Sequence, residues 1–253
     1  MSGRPIATFA LCLVALAGCA LADAAGAAEY HVRNRDGAAL AAAIRHANES
    51  AGADVIVLSA GGIYPILDAA SDGLALPTVT GALRIEGHRA EIRRYTDSRL
   101  MLLQVAPGAH LELRDLTLAE GTRGAIHNRG TLLLERVRVT DSTSSEPAAI
   151  VLNEGELRAT DSEFGFNQLL GASSDGGTLV NRGVMHLSNS RIVSNSASRD
   201  DPLTATAAVL NLGTLELDGV TMADNRLSNE LGGGELTAVL NLLGGQSSGT
   251  HAQ

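Results

Sequence analysis

Six acidic residues, Glu146, Asp175, Asp200, Asp201, Glu230 and Glu235, fall in stretches rich in serine and glycine. Carboxylates of this kind offer two chemistries. A pair about 6.5–9.5 Å apart can act as acid and base in inverting glycoside hydrolysis. Several together can give calcium the roughly six to eight oxygen ligands it takes. Asp200-Asp201 is the adjacent pair in these stretches, and Pro202 ends it in the manner of a solvated turn. The sequence contains 19 arginines and no lysine, so a lysine base is excluded. Arg123, Arg129 and Arg182 are the cations available near predicted bends for lyase chemistry, but Arg129 and Arg182 directly follow recurring asparagines and read as exposed charges. His127 precedes one of those asparagines within a strand and reads as a wall residue. His88, His110 and His186 lack metal-site spacing. No phosphate-binding loop or Ser-His-Asp order stands out. These residues therefore give no catalytic assignment. Calcium is the one candidate cofactor, with Asp175, Asp200, Asp201, Glu230 and Glu235 as its candidate ligands.

The elements that would position these side chains are written in a repeat. Asn128-Arg-Gly130, Asn153-Glu-Gly155, Asn181-Arg-Gly183 and Asn211-Leu-Gly213 open the same phrase, and Asn241-Leu-Leu-Gly244 begins it again. The asparagines lie 25, 28, 30 and 30 residues apart. Counting from each asparagine, residues four, six, nine and eleven positions on are mostly apolar. They run from Leu132, Leu134, Val137 and Val139 to Leu215, Leu217, Val220 and Met222. Pairs spaced by two have the strand period with one buried face, and glycine or polar residues between them turn the chain. About three short strands per repeat, none able to stand alone, must pair with their equivalents one coil above and below. The expected fold is all-β, a right-handed parallel β-helix of about six or seven coils.

Two series of asparagines recur at fixed phase: Asn128, Asn153, Asn181, Asn211 and Asn241 at position zero, and Asn167, Asn195 and Asn225 at position fourteen, where the first repeat has Ser142. An amide has two donors and two acceptors, and equivalent positions in stacked coils lie about 4.8 Å apart. Both series are expected to form internal ladders at corners. Asparagine also tolerates the left-handed backbone that bends use. All length variation falls between position fourteen and the next repeat, over gaps of 11, 14, 16 and 16 residues. Inserts at one phase protrude from one face of a solenoid, often its binding face. The acidic residues above lie on these inserts and would form a negative stripe.

The N-terminal region reads differently. Residues 1–28 have one arginine, an apolar run from Ile6 to Ala17 and small residues after it, the pattern of a cleaved export signal too short to anchor as a span. Leu16-Ala17-Gly18-Cys19 matches a lipoprotein signal, in which Cys19 would carry lipid and attach the protein to a membrane. Ala20-Leu21-Ala22 is an ordinary peptidase site, and Ala27-Ala28 offers a later one. The domain at 29–253 then contains no cysteine, hence no disulfide and no thiol chemistry. A net charge of -9 argues against nucleic acid as a partner. Aromatic residues are 2% with no tryptophan, which disfavours a broad aromatic sugar groove. Asp36 is placed to cap a helix from about Ala38 to Asn48, whose apolar face would close one end of the solenoid. Asp54–Leu58 reads as a buried strand.

The stretch DGAALAAAIRHANESAGADVIVLSAGGIYPI resembles the N-terminal motif, written C-S-L-R-E-A-I and followed by an A-D-x-I-x-L strand, of a family of secreted β-helix proteins. LPTVTGALRIEGHRAEI and VAPGAHLELRDLTLAEG resemble the first coils of that family. Repeats such as AIHNRGTLLLERVRVTDS resemble those of polymorphic outer-membrane β-helices. The likeness runs from about Asp36 to Gly244. Here Ala38, Ala41 and Ala42 replace the motif's Cys, Arg and Glu, so no role tied to those three carries over. The resemblance implies an exported surface or extracellular protein, often adhesin-like, with no agreed chemistry; the expected role is a binding or structural module, with a glycan and a protein as the candidate ligands. The alternative is a polysaccharide-active lyase or glycoside hydrolase of the pectin-lyase-like fold, and fold alone does not decide between them.

Overall fold

The computed structural model describes residues 26–145, 149–170, 176–199, 206–229, 234–235, 239–241 and 246–252. The described residues form a parallel β-solenoid of about seven turns with one helix among them. Its strands stack in four columns. The first holds Glu29–Val32, Ala53–Leu58, the front halves of Ala82–Arg94 and His110–Ala119, then Thr131–Glu135, Glu156–Thr160, Val184–Ser188, the front half of Thr214–Ala223 and Gln246–Ala252. The second holds Ile63–Ile66, the rear halves of the long strands, Arg138–Thr140, Glu163–Gly165 and Arg191–Val193. The last column, which closes each coil, runs from Leu103–Val105 through Ile126–Asn128, Ala149–Asn153, Gly177–Asn181 and Val209–Asn211 to Val239–Asn241.

The repeat arithmetic predicts three strands per coil; the later coils have four. The additional column comprises Thr143–Ser144, Gln168–Leu169, Ser196–Arg199 and Arg226–Asn229, starting directly after position fourteen. These residues belong to the stretches read above as inserts. Two-residue strands of serine, threonine and glutamine have too short a pattern to read locally, and only pairing with the next coil makes them strands. In the last such stretch Arg226 and Leu227 also pair antiparallel with Glu235 and Gly234.

The inward positions form one continuous core. Leu132, Leu134, Val137, Val139, Leu157, Phe164, Met185, Leu187, Ile192, Leu215, Leu217 and Val220 are all buried within it. Position nine carries serine in two coils, Ser162 and Ser190, and both are buried. Their hydroxyls accept from Val137 N and Ser162 N, each at 3.1 Å, so each serine caps the backbone of the coil before it. This polar ladder is absent from the apolar pattern read in the sequence.

The helix spans Gly37–Glu49, one residue longer at each end than the sequence indicates. The Asp36 carboxylate accepts from Ala39 N at 2.8 Å, the expected N-cap. Leu40, Ala43, Ile44 and Ala47 are buried and join the core of the first coils. The helix connects Glu29–Val32 to its parallel neighbour Ala53–Leu58, so it is the crossover of the first coil as well as its cover. Gly37 permits the close approach: a Cβ there would lie 2.2 Å from the Pro65 carbonyl oxygen.

Candidate functional site

The asparagines stand inside the coil stack. Asn128, Asn153, Asn181 and Asn211 are fully buried, and each Nδ2 donates to the Oδ1 of the next coil's asparagine at 2.8 Å, from 128 to 153, 153 to 181 and 181 to 211. The same amides bond backbone: Asn128 Nδ2 reaches Glu156 O at 2.9 Å, and Asn128 Oδ1 accepts from Gly130 N at 3.1 Å. Asn241 pairs with Asn211 in strand register. Asn167 donates to Asn195 at 3.1 Å and Asn195 to Asn225 at 2.9 Å. Ser142 N donates to Asn167 Oδ1 at 3.0 Å, which joins the first repeat to this second ladder. The left-handed backbone lies elsewhere. The residues with positive φ are one position earlier, Asp141, Phe166, Ser194 and Asp224, and a second set, Arg136, Asp161 and Asn189, sits at position eight. Hydrogen bonding, not tolerance of positive φ, is therefore what the ladder asparagines supply.

Of the candidate calcium ligands, Asp175, Asp200, Asp201 and Glu230 lie outside the described residues, as do Glu146 and Cys19. Glu235 falls in the short antiparallel strand Gly234–Glu235. Among the described residues, no cluster of three or more His, Cys, Asp or Glu side chains could hold a metal ion.

On the outer face of the first column, charged side chains interlock across coils. Arg114 lies 3.8 Å from Glu86, 3.3 Å from Glu135 and within hydrogen-bond distance of Glu112, and Arg84 lies 3.0 Å from Glu86. Arg136 bonds both Asp115 oxygens at 2.6 and 2.8 Å and pairs with Glu135. The Arg136 hydrogen bonds hold the Asp115 carboxyl below its ordinary range. At the last column, His127 Nε2 lies 2.9 Å from Glu154, whose carboxyl is lowered first by that contact and further by Arg182 at 3.4 Å. His186 Nδ1 lies 2.6 Å from Glu216. His127, Arg182 and His186 thus have carboxylate partners that a linear reading does not reveal. The His186–Glu216 pair lies at outward position five, where the register also sets Arg84 beside Glu112 in the first coils; His127, Glu154 and Arg182 flank the ladder asparagines, and only the pairing of coils brings them together.

The second column carries a different outer surface. Its register aligns Ala119, Thr140, Gly165, Val193 and Ala223, one per coil. All point outward, yet the first four are buried and Ala223 is half-buried. We read this line of shielded residues, three of them alanine or glycine, as the floor of a shallow trough parallel to the solenoid axis. One wall is Arg138, Glu163 and Arg191, with Glu163 bonded to Arg138 at 3.0 Å and to Arg191 at 3.3 Å. The other is the turn column Glu120, Asp141, Phe166, Ser194 and Asp224, whose positive φ throws the side chains outward. Phe166 is 56% exposed. At the N-terminal end Tyr95, 69% exposed, shares an open depression with Arg94, Thr96, Asp97 and Glu120. The sequence conceals this trough because its floor residues are separated by 21 to 30 positions and share only small size. No protein-family model, no curated protein and no solved structure matches this chain.

Proposed function

We propose that the protein is an exported, non-catalytic binding module, adhesin-like in role, that lays an extended glycan along the second-column trough. The observation that carries this reading is the line of small, sunken side chains between a charged wall and a ridge bearing Phe166, with Tyr95 at its end. Flat aromatic faces with polar groups beside them suit the apolar face and hydroxyls of a sugar ring. Guanidinium and carboxylate groups on one wall and carboxylates on the other offer donors and acceptors over several coils, which suits a polymer more than a small molecule. Asp115 and Glu154, held down by cationic neighbours, are themselves unsuited to the general-acid role, which needs a raised carboxyl pKa.

A glycan array probed with the exported protein tests the reading, run beside assays for reducing-sugar release and unsaturated products on a panel of acidic polysaccharides. Retention of an oligosaccharide class without turnover is the expected outcome. Phe166→Ala should weaken that binding about tenfold, the scale of one lost aromatic contact, with the melting temperature nearly unchanged because the ring is exposed. Turnover of any substrate would replace the proposal with the lyase or hydrolase alternative. Binding that survives both Phe166→Ala and Ala223→Trp would move the ligand off the trough.

A further inference from the structure

Asp54 is a buried carboxylate with an unmet oxygen. It lies in the first-column strand Ala53–Leu58 and is 1% exposed. Oδ1 accepts from Ala28 N at 2.6 Å and from the Ser50 hydroxyl at 3.3 Å. Oδ2 is shielded from solvent and has no hydrogen-bond partner among the described residues. Burying a carboxylate is costly unless a charge and hydrogen bonds compensate it. The described structure supplies it with one backbone N–H and a long hydroxyl contact.

Ala28 also takes part in the backbone pairing that opens the first coil. Its carbonyl accepts from Val55 N at 2.8 Å, and the next residue opens the strand Glu29–Val32. Gly26 and Ala27, immediately before it, are exposed. Residues 25–27 read Ala-Gly-Ala, which puts small residues at the first and third positions before the Ala27–Ala28 bond, the pattern a signal peptidase cuts.

We propose that export cleaves the Ala27–Ala28 bond and that the α-ammonium of Ala28 remains against Asp54 as a buried ion pair. The inference rests on the exported reading for the cut itself. A signal peptidase adds water across the amide: Ala27 leaves with the new carboxylate, and the Ala28 nitrogen takes up a proton to become an ammonium. That nitrogen then has three donors where the amide has one, enough to serve both Asp54 oxygens, and it brings the missing positive charge. Cleavage after Ala22, or lipid attachment at Cys19, would leave the nitrogen an uncharged amide. Cleavage after Ala28 would remove the donor.

The test uses the full chain expressed in a secreting host, followed by N-terminal sequencing and intact mass of the exported product. The expected mature sequence begins Ala-Glu-Tyr-His-Val. Because the chain contains no lysine, an amine-acetylating reagent reports on the α-amino group alone. Native protein should label at least about tenfold more slowly than protein unfolded in urea, the ratio expected of a group held in an ion pair worth at least one decade in equilibrium constant. Asp54→Asn should bring the native rate up toward the unfolded one. If that variant does not fold, the native-to-unfolded ratio in the unmodified protein decides the matter. A mature N-terminus at Asp23 or Glu29, or a lipidated Cys19, overturns this inference and leaves export standing. A product still starting at Met1 overturns both. An Ala28 terminus that labels equally fast folded and unfolded overturns the ion pair.

Discussion

At the scale of single residues, the buried polar ladders give the sharpest expectations. Asn181 bonds Asn153, Asn211, Thr214 O and Gly183 N at 2.8, 2.8, 2.9 and 3.2 Å. Asn181→Ala leaves groups in two neighbouring coils without these bonds. A buried unsatisfied group costs about 1–3 kcal/mol, so a stability loss of at least that size is expected from thermal or denaturant unfolding. An unchanged unfolding midpoint would remove the ladder from the account of stability. Asp115 gives a pH-dependent expectation. Its folded pKa is depressed by Arg136, so its contribution is present above the unfolded value of about 3.9 and is lost as pH falls through the lower folded value. Asp115→Asn should therefore lower the melting temperature slightly near neutral pH, and the difference should close in stronger acid. Both partners are partly solvated, with side-chain exposures of 47% for Arg136 and 33% for Asp115, so added salt should shrink the difference as well. A gap that widens on acidification would contradict this assignment.

At the scale of elements, the glycine two places after each asparagine is fixed by contact between coils. A Cβ at Gly155, Gly183 or Gly213 would lie 2.1, 2.1 or 2.2 Å from the carbonyl oxygen of the glycine one coil earlier. The atom met is backbone, so no side-chain rotation relieves it. Gly183→Ala is expected to cost about 1–3 kcal/mol, the range for overpacking a close-packed interior. Full stability in Gly183→Ala, measured by denaturant unfolding, would show that the coils can separate at little cost. The phrase Asn-x-Gly was legible in the sequence because its two requirements, an amide and the absence of a side chain, are each met by one residue type. The turn columns were less legible. Asp115, Arg136, Asp161, Asn189 and Gly219 share one left-handed corner, marked by Asp, Asn or Gly in all but one of these coils, whereas Glu120, Asp141, Phe166, Ser194 and Asp224 share another with no common side-chain chemistry. A backbone conformation held by flanking strands leaves a weak trace in residue type.

At the scale of the whole molecule, each coil rests mainly on its neighbours, so stability should be distributed along the axis. The helix Gly37–Glu49 covers the first coils through Leu40 and Ile44, both 0% exposed. Leu40→Asp places a charge in that contact. Hydrogen exchange should then rise first in Ala53–Leu58 and Ile63–Ile66 and fall off toward Thr131–Glu135, with the C-terminal coils little affected. A uniform rise over all coils would instead indicate a single cooperative unit. The same axial arrangement repeats the trough once per coil, as the proposed polymeric ligand would require.

The sequence alone determined the coil period, the inward-facing apolar positions, the two asparagine series and the capping helix with its Asp36 cap. Each of these follows from local periodicity or from a residue type that only one environment accommodates. The tertiary structure decided the fourth strand column, the serine caps at position nine, the carboxylate partners of His127 and His186, and the trough floored by Ala119, Thr140, Gly165 and Val193. It also exposed the unmet demand of Asp54, whose donor lies 26 residues earlier in the chain. These features join residues about one coil apart, and inserts of unequal length break the spacing between coils. Strand register restores it, and register is set by pairing in three dimensions.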